Sequence, residues 1–295
     1  MPTIAEAIRN AARRLIAAGL DPESAASPRA EAELLLCEAT GLSRTTLFSW
    51  PEQILTTAQA QRFEALLNRR AAGEPFAYIL GRREVWGLNL MVTPATLIPR
   101  PDTELLVEWA LEALPANRPS LCADLGAGSG AIACALAHER PAWNILAVER
   151  SAAALAVAAG NARGLGLANV LPILGDWLAP VASGRLDLIV ANPPYVRAGD
   201  HHLRRGDLRF EPAGALAAGA DGLDAIRIIA DQARRCLRPG GRLALEHGWD
   251  QDASVRALLD RAGYYVVASH LDLAGHPRVT SALWPEAAMA ATNPD

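Results

Sequence analysis

Apolar residues recur with two different periods along the chain, and the change of period divides it into two parts. From Thr3 to about Ala72 the apolar positions follow a helical period with almost no strand-like run, and Ser27-Pro28 suits a helix cap and first helical position. After Pro94, short apolar runs alternate with longer helical patterns. This alternation predicts an α/β fold in which helices cover both faces of a mostly parallel sheet.

The apolar runs after Pro94 predict the strands of the sheet. The last two are joined by too few residues for a helical crossover, so the final strand is predicted to be antiparallel. Before them, the segment from Phe76 to Val92 places aromatic and β-branched residues around two glycines, which predicts a β-hairpin linker. The predicted strand segments are LCADLG, NILAVE, NVLPILGD, DLIVAN, GRLALEHG, YYVVASH and PRVTSALW.

These patterns together predict the domain organisation. We expect a helical domain at 1–74, a hairpin linker at 75–93, an α/β domain at 94–285 and a flexible tail at 286–295.

Composition narrows the class of protein. With 51% hydrophobic and 20% charged residues among 295, the chain has the composition of a globular protein, not of a disordered one. Charged residues interrupt every long apolar stretch, so no membrane span is predicted. The first 20 residues contain Glu6 and lack the separate basic and apolar blocks of a signal peptide, which favours a cytoplasmic location. The net charge of -4 gives no general attraction to nucleic acid.

Cysteines and histidines give no indication of a metal site. The four cysteines are far apart in apolar contexts, which is typical of reduced, buried thiols. His201-His202 lies in a polar loop without a third ligand nearby, and His247 at a strand end is expected to be a hydrogen-bonded structural residue. We expect Arg204, Arg205 and Arg209 to form a solvated face, which could also steer an acidic or RNA-linked partner. The cysteines are Cys37, Cys122, Cys134 and Cys236.

A glycine-rich turn follows the first predicted strand of the α/β domain. In LCADLGAGSGAIACALA, glycines at three alternate positions allow the backbone to approach a ligand that a β-carbon would block. The same spacing satisfies the dinucleotide-binding pattern, so the turn alone does not separate a nicotinamide cofactor from S-adenosylmethionine.

Acidic and aromatic residues near this turn narrow the choice of cofactor. Glu149 closes the next strand, where its carboxylate can accept hydrogen bonds from both hydroxyls of a ribose. Asp176 can accept from an adenine amino group while Trp177 packs on the ring. Asp124 adds negative charge beside the site, which suits a sulfonium and an ammonium group and would repel a pyrophosphate. The balance therefore favours S-adenosylmethionine.

The segment Asn192-Pro193-Pro194-Tyr195 follows the fourth predicted strand, at the edge where open α/β sheets bind ligands. The two prolines fix the backbone and remove two N–H donors, which leaves a rim rich in acceptors. If the Asn192 oxygen and the Pro193 carbonyl each accept one N–H, an NH2 group is oriented for in-line attack on a methyl group. Tyr195 can stack on a planar amide or base. The acceptor is predicted to be such a planar nitrogen, of an amide or of an adenine.

The glycine turn and the Asn-Pro-Pro-Tyr segment lie within longer segments of sequence. Through these segments the chain resembles the peptide chain release factor N(5)-glutamine methyltransferases. These enzymes modify the glutamine of the Gly-Gly-Gln loop. The resemblance covers nearly the whole chain. It implies a small N-terminal helical domain followed in the sequence by a Rossmann-like, seven-stranded class I methyltransferase domain. It is carried by EAELLL, GEPFAYILGRREVWGL, IPRPDTELLVE, DLGAGSGAIACALA, GDW, NPPYV, FEPAGALAAGADGLDAIR, LEHGWDQ and HPRVTSALW.

The resemblance implies roles for particular residues. The cofactor would be S-adenosyl-L-methionine, released as S-adenosyl-L-homocysteine, with Glu149 on the ribose, where the family usually has Asp, and Trp177 beside the adenine. Asn192 is assigned to both cofactor and substrate, and the substrate amide would also contact Pro193, Pro194 and Tyr195. Of these four, Asn192, Pro193 and Tyr195 are assigned catalytic roles. The remaining assigned cofactor residues are Asp124, Gly126, Ala127, Gly128, Ser129, Gly130 and Asp176.

The implied partner is a peptide chain release factor, docked through the N-terminal helical domain. Three alternatives stay open: a glutamine methyltransferase acting on a ribosomal protein, a DNA adenine N6-methyltransferase acting on a flipped base, and a nucleotide-binding module without catalysis. The segments IPRPDTE and LEHG favour the release factor group over the ribosomal one. The absence of strong net basicity argues against DNA as the substrate.

Overall fold

The computed structural model describes residues 1–19, 27–204 and 206–286. The described residues fall into two compact units, one from Met1–Arg82 with Arg204–Phe210 and the other from Arg83–Leu203 with Glu211–Asp295. Among these residues, each helix is too short or too polar to cross a lipid bilayer.

The N-terminal unit is helical, and its helices begin where the sequence supplies capping side chains. Thr3 and Glu6 form a reciprocal capping box, as do Thr56 and Gln59, and Ser27 caps a helix whose first residue is proline. One face of each long helix packs into a shared apolar core. The helices are α1 (Ile4–Ala17), α2 (Pro28–Thr40), α3 (Arg44–Ser49), α4 (Thr57–Ala71) and α5 (Phe76–Leu80).

The second unit begins with a hairpin and continues as an α/β domain. The hairpin turns through Trp86 and Gly87, both at positive φ (52° and 68°), as a two-residue turn between twisted strands requires. The strands are β1 (Arg82–Val85), β2 (Leu88–Met91), β3 (Ser120–Leu125), β4 (Trp143–Glu149), β5 (Val170–Leu174), β6 (Leu186–Ala191), β7 (Leu237–Glu246), β8 (Tyr265–Leu271) and β9 (Pro277–Leu283). The helices are α6 (Thr103–Ala113), α7 (Ala131–Glu139), α8 (Ala152–Gly164), α9 (Asp224–Cys236) and α10 (Asp252–Arg261), with 3₁₀ turns at His201–Arg204, Gly206–Phe210 and Ala213–Ala215.

The main sheet has a reversal of strand order at its centre. Within the described residues it has seven strands in the order β5-β4-β3-β6-β7-β9-β8. Strands β3 to β7 pair in parallel, and β9 runs antiparallel to both β7 and β8. Strands β4 and β5 are added on one side of β3, and the later strands β7, β9 and β8 lie on the far side of β6. The crevice beyond the carboxyl ends of β3 and β6 is therefore the place where such a sheet binds a ligand.

Both faces of the sheet are covered, as the continuous apolar runs predict. Alternate residues of β6 enter two different cores: Leu188 and Val190 pack into the core that contains α6 and α7, and Ile189 and Ala191 into the one that contains α9 and α10. Every residue of β6 is buried. Because β6 is buried on both faces, it lies at the centre of the sheet. Its position determines where the next residue, Asn192, leaves the sheet.

The seven predicted strands and the antiparallel final strand are confirmed. One detail of the predicted hairpin is wrong: Phe76–Leu80 forms a short helix, ended by Gly81 at φ 69°, and the strands start only at Arg82. The described cysteines are free, three of them buried and Cys37 partly buried. His247 is buried and bonded to Gly248 O and Thr280 Oγ1. Of the predicted flexible tail, residues 287–295 lie outside the described residues.

Candidate active site

A cleft of about 280 Å³ opens at the carboxyl ends of β3, β4, β5 and β6. Four loops that follow these strands supply most of its wall, and residues 95–97 and 212–215 close it. It brings together the predicted residues Gly126, Gly128, Glu149, Asp176, Trp177, Asn192 and Pro194. The predicted residues Asp124, Ala127, Ser129, Gly130, Pro193 and Tyr195 do not line it.

The glycine turn needs glycine for two separate reasons. Gly126, Gly128 and Gly130 all have positive φ, at 71°, 56° and 80°. A β-carbon on Gly130 would lie 3.1 Å from the β-carbon of Ala158, so this glycine allows α7 to pack closely on α8. A β-carbon on Gly126 would lie 3.4 Å from the Trp177 ring. Gly126 and Gly128 therefore shape the cleft, whereas Gly130 serves helix packing.

Asp124 is fully buried behind the turn. Its Oδ2 accepts a hydrogen bond from Ala133 N at 3.0 Å, in the first turn of α7, and its Oδ1 has no hydrogen-bond partner within the described residues. Burial raises the pKa of Asp124 to about 7, and the nearby Glu149 carboxylate acts in the same direction. Asp124 thus occupies a helix amide that a phosphate would otherwise bind.

Glu149 links the glycine turn to the start of α8. Its Oε2 accepts from Gly128 N at 3.0 Å and its Oε1 from Ser151 N at 2.8 Å. Each carboxylate oxygen keeps a further lone pair, and the side chain lines the cleft, so it can still accept from two hydroxyl groups. The bond to Gly128 also removes that amide from the set of donors available to a phosphate.

Asp176 and Trp177 form the wall contributed by the loop after β5. Trp177 has φ 48°, in the left-handed region that is unfavourable for a bulky residue, and its ring lies against Gly126. Strain of this kind persists only where the surrounding contacts hold it. The indole is therefore held as a flat apolar surface beside the carboxylate of Asp176.

Asn192 emerges from β6 with its side chain oriented by a second residue. Its Nδ2 donates to Thr103 Oγ1, the first residue of α6, at 3.0 Å. With the NH2 group held there, Oδ1 is the end of the amide that can accept from a ligand. Asn192 and Pro194 line the cleft and Pro193 is buried.

Tyr195 is held at both its backbone and its ring. The carbonyl of Tyr195 accepts from Gln251 Nε2 at 2.9 Å, and its hydroxyl donates to Glu246 Oε1 at 3.5 Å. Burial raises the pKa of Tyr195, so the phenol stays neutral. Gln251 also donates to Asp221 O at 3.2 Å, which ties the Asn-Pro-Pro-Tyr segment to the loop before α9.

Several residues that support the site have no single-sequence signal of their own. Thr103, Gln251 and Glu246 lie in segments that carry the family resemblance, but nothing in their local pattern assigns a contact with Asn192 or Tyr195. The local sequence around Asn161 likewise gives no indication of its role. Its Nδ2 donates to Ser129 O at 2.8 Å and to Met91 O at 2.9 Å, and these bonds hold the glycine turn in place.

The polar loop after Asn-Pro-Pro-Tyr contains no metal site within the described residues, where no suitable cluster of His, Cys, Asp and Glu occurs. His201 is exposed beside Asp200, with 3.6 Å between Nδ1 and Oδ1. Arg209 is exposed and donates to Ala72 O at 3.0 Å within the N-terminal unit. The side chains of His202 and Arg204, and all of Arg205, lie outside the described parts of the chain.

Comparisons with known proteins agree with this architecture. A family model described as the PrmC N-terminal domain matches residues 6–81, and the methyltransferase small domain matches residues 102–211. A crystal structure of a methyltransferase from Pyrococcus furiosus is 17% identical, with a TM-score of 0.51 over 74% of this chain and 97% of that one, and shows the shared fold.

Two curated relatives are similar over most of their length. The release factor glutamine methyltransferase of Xylella fastidiosa is 51% identical over 85% of this chain and 92% of its own. The enzyme of the same name from Escherichia coli is 47% identical over 88% of this chain and 93% of its own. The chain belongs to the release factor glutamine methyltransferase family.

Proposed function

We propose that this protein transfers a methyl group from S-adenosylmethionine to the side-chain amide nitrogen of the glutamine in the Gly-Gly-Gln motif of a peptide chain release factor. The observation that carries the proposal is the anchored amide of Asn192, whose NH2 group is held by Thr103 while its oxygen is left for a ligand at the cleft. Relatives about half identical to this chain bear the name of that activity.

The chemistry of the cleft suits a cationic cofactor better than a pyrophosphate. The amides of Gly128 and Ala133, which a phosphate would use, donate to Glu149 and Asp124. Asp176 and Glu149 line the cleft as further acidic groups. A sulfonium and an ammonium are attracted by this set of charges, and the two phosphates of a dinucleotide are repelled. The same feature argues against a dinucleotide-binding module.

The residues present can hold each part of S-adenosylmethionine. Glu149 is placed to accept from the ribose hydroxyls, Trp177 and Asp176 to hold the adenine, and the turn at Gly126 and Gly128 to admit the methionine part closely. When bound, the cofactor supplies an electrophilic methyl group on a sulfonium. Asp124, Ala127, Ser129 and Gly130 then act behind the turn, by fixing its conformation.

The Asn-Pro-Pro-Tyr segment acts by positioning the acceptor. An amide nitrogen is a poor nucleophile, so its orientation has to be fixed with care. Asn192 Oδ1 and the Pro193 carbonyl accept its two N–H groups, and Tyr195 with Pro194 packs against the amide plane. The acceptors also stabilise positive charge that develops on the nitrogen as the N–C bond forms. The bond between the methyl carbon and the sulfonium sulfur would break as the N–C bond forms, which would release S-adenosylhomocysteine. The nitrogen would lose one proton to water, so that the product is a neutral N-methyl amide.

We further propose that the helical N-terminal domain docks the release factor and that the reaction takes place in the cytoplasm, where release factors meet the ribosome. The partner is a protein. The net charge of -4 offers no general attraction to nucleic acid, so no direct nucleic-acid specificity is expected.

Mass spectrometry of purified release factor incubated with the protein and S-adenosylmethionine tests the proposal. We expect the mass of one methyl group on the glutamine of Gly-Gly-Gln. Asn192→Ala should abolish the product while leaving S-adenosylmethionine affinity within a few fold. The control is Asn144→Ala, the same change at an exposed position of β4, which should retain activity. Methylation of a ribosomal protein or of DNA, with the release factor unmodified, would refute the assignment.

A further inference from the structure

Two apolar side chains are exposed at the edge of the sheet where the Asn-Pro-Pro-Tyr segment lies. Trp249, in the loop after β7, is 60% exposed, and Leu273, in the turn between β8 and β9, is fully exposed. Strand β7 runs parallel to β6, and Glu246 at the end of β7 pairs with Val279 near the start of the antiparallel β9. The loop after β7 and the β8–β9 turn therefore lie at the same edge as Asn192.

A hydrogen bond and an ion pair attach the loop after β7 to the Asn-Pro-Pro-Tyr segment and the residues that follow it. Gln251 Nε2 donates to Tyr195 O at 2.9 Å. The guanidinium of Arg197 donates to Asp250 Oδ2 at 2.7 Å. Trp249 directly precedes these two residues of the loop, so its Cα lies within about 8 Å of the Cα of Gln251. The indole is therefore near the segment to which we assign the glutamine amide.

The turn between β8 and β9 is held by its own hydrogen bonds. Asp272 Oδ1 accepts from Ala274 N and His276 N, each at 2.9 Å. The backbone N–H of Asp272 donates to His276 O at 2.8 Å. The ring of His276 lies beside the Trp249 indole, with 6.0 Å between the ring centroids. Leu273 is thus presented to solvent from a fixed turn that contacts Trp249.

An exposed indole and an exposed leucine on a fixed backbone suit a protein partner. Isolated exposed apolar residues are common, whereas a group of them beside a cleft is typical of an interaction surface. Tryptophan is enriched among the residues that dominate binding at protein interfaces. Side chains on a backbone that is already ordered also lose little conformational freedom when a partner binds.

The charged groups at this edge are paired with each other. Arg278 lies 3.1 Å from Asp272 and 3.2 Å from Asp102. Arg197 is paired with Asp250. A nucleic acid would have to displace these carboxylates before its phosphates could bind the two arginines. The surface therefore favours an uncharged peptide over a nucleic acid.

The chemistry of the proposed substrate indicates which peptide lies there. An extended glutamine side chain places its amide nitrogen about 5 Å from its own Cα, so the main chain of the substrate passes just outside the cleft. The two residues before that glutamine are glycines, about 4 and 8 Å further along the chain. Glycines offer only flat peptide groups and Cα hydrogens. An aromatic face can pack closely on these groups, and a β-carbon would hold the peptide away from it.

We propose that Trp249 and Leu273 determine specificity for the peptide around the acceptor glutamine. The indole of Trp249 packs against the main chain of the two preceding glycines, and Leu273 contacts the adjoining surface of the release factor. This inference rests on the proposed function of the cleft. Neither residue touches the reacting atoms, so both act by binding the substrate.

Steady-state methyl transfer to purified release factor tests this surface. Trp249→Ala should raise KM for the factor about tenfold and Leu273→Ala about threefold, with kcat within about twofold in both. The matched control is Leu171→Ala, at an exposed position of β5 on the opposite side of the sheet, which should leave KM unchanged. Affinity for S-adenosylmethionine, measured by calorimetry, should be equal in all three variants.

A second substrate tests which part of the factor lies on Trp249. With alanine in place of the glycine directly before the glutamine, kcat/KM of the parent protein should fall about tenfold, because the added β-carbon holds the peptide away from the indole. For Trp249→Ala the same change in the factor should cost less than about threefold. Equal losses in the two proteins would overturn the assignment of the glycines to Trp249.

The remaining outcomes separate this inference from the proposed function. If the parent protein methylates the factor and Trp249→Ala has an unchanged KM, the inference is wrong and the proposed function stands. A KM raised equally in Leu171→Ala would also overturn it. A dimer that Trp249→Ala dissociates in analytical ultracentrifugation would assign the surface to a second copy of this chain instead. If the parent protein fails to methylate the factor, the proposed function is refuted and the inference falls with it.

Discussion

The replacement Gly222→Ala tests how the Asn-Pro-Pro-Tyr segment is held in place. Gly222 has φ 78°, and a β-carbon there would lie 2.2 Å from Tyr195 O and 2.7 Å from Gln251 Nε2. These two atoms are themselves hydrogen-bonded at 2.9 Å. Because a carbon and an oxygen need more than 3 Å, as a rough contact distance, one side of the contact must move by about 1 Å.

The expected loss of stability has two parts. The left-handed backbone costs an alanine about 1 kcal/mol. Displacement of Tyr195 weakens the bonds from Gln251 to Tyr195 and Asp221, which adds about 2 kcal/mol. The matched control is Gly263→Ala, where φ is 85° but nothing lies within 4 Å of the added carbon. It should lose only the backbone part.

Urea unfolding measures the loss of stability, and a methyl-transfer assay measures the loss of activity. Gly222→Ala should be less stable than Gly263→Ala by about 2 kcal/mol, and its kcat should fall about a hundredfold, because an error of about 1 Å in a positioning group has effects of that size. Affinity for S-adenosylmethionine should change little, since Gly222 does not line the cleft. If the two variants match in stability and in kcat, the steric reasoning is refuted.

Three further predictions concern the cofactor half of the site. Trp177→Ala should weaken S-adenosylmethionine binding about tenfold in calorimetry through loss of the adenine surface, and unchanged affinity would exclude that role. Glu149→Gln should weaken it similarly by removing a charged acceptor for the ribose, whereas tighter binding would contradict the assignment. The pKa of Asp124 is raised to about 7 in the folded protein, so the folded state keeps a proton that the unfolded state loses at about pH 4. This contribution to stability is full below about pH 4 and lost as the pH rises through about 7. In urea unfolding, Asp124→Asn should therefore gain stability relative to the parent protein as the pH rises from about 4 to about 7. A difference in stability that does not change over this range would refute the raised pKa of Asp124.

The sequence predicts the central strands well because their side chains are buried on both faces. Strand β6 is buried at every position and apolar at all of them except Asp187, and such a run is visible without knowledge of the fold. Phe76–Leu80 shows the opposite case. Its aromatic and β-branched residues suit a strand, yet it folds as a helix that buries Ala77, Tyr78 and Ile79, because tertiary packing overrides local preference.

The candidate site was predictable where its residues directly follow strands. Asn192 and Glu149 each end a run that is visible in the sequence, so their place at the edge of the sheet follows from the fold class. Thr103 lies 89 positions from Asn192, and Gln251 lies 56 positions from Tyr195. Contacts at such separations depend on strand order and helix placement, which a local pattern does not contain.

The reversal of strand order between β3 and β6 separates two sets of loops, which has a consequence for how the methyl acceptor can change in evolution. The loops after β3, β4 and β5 form most of the cleft wall to which we assign the cofactor, and the loops after β6 and β7 carry and hold the segment to which we assign the acceptor. Mutations that remodel the acceptor side therefore fall on different stretches of chain from those that hold the methyl donor. In this assignment, residues around the methyl acceptor can change in evolution while the residues around the methyl donor stay the same.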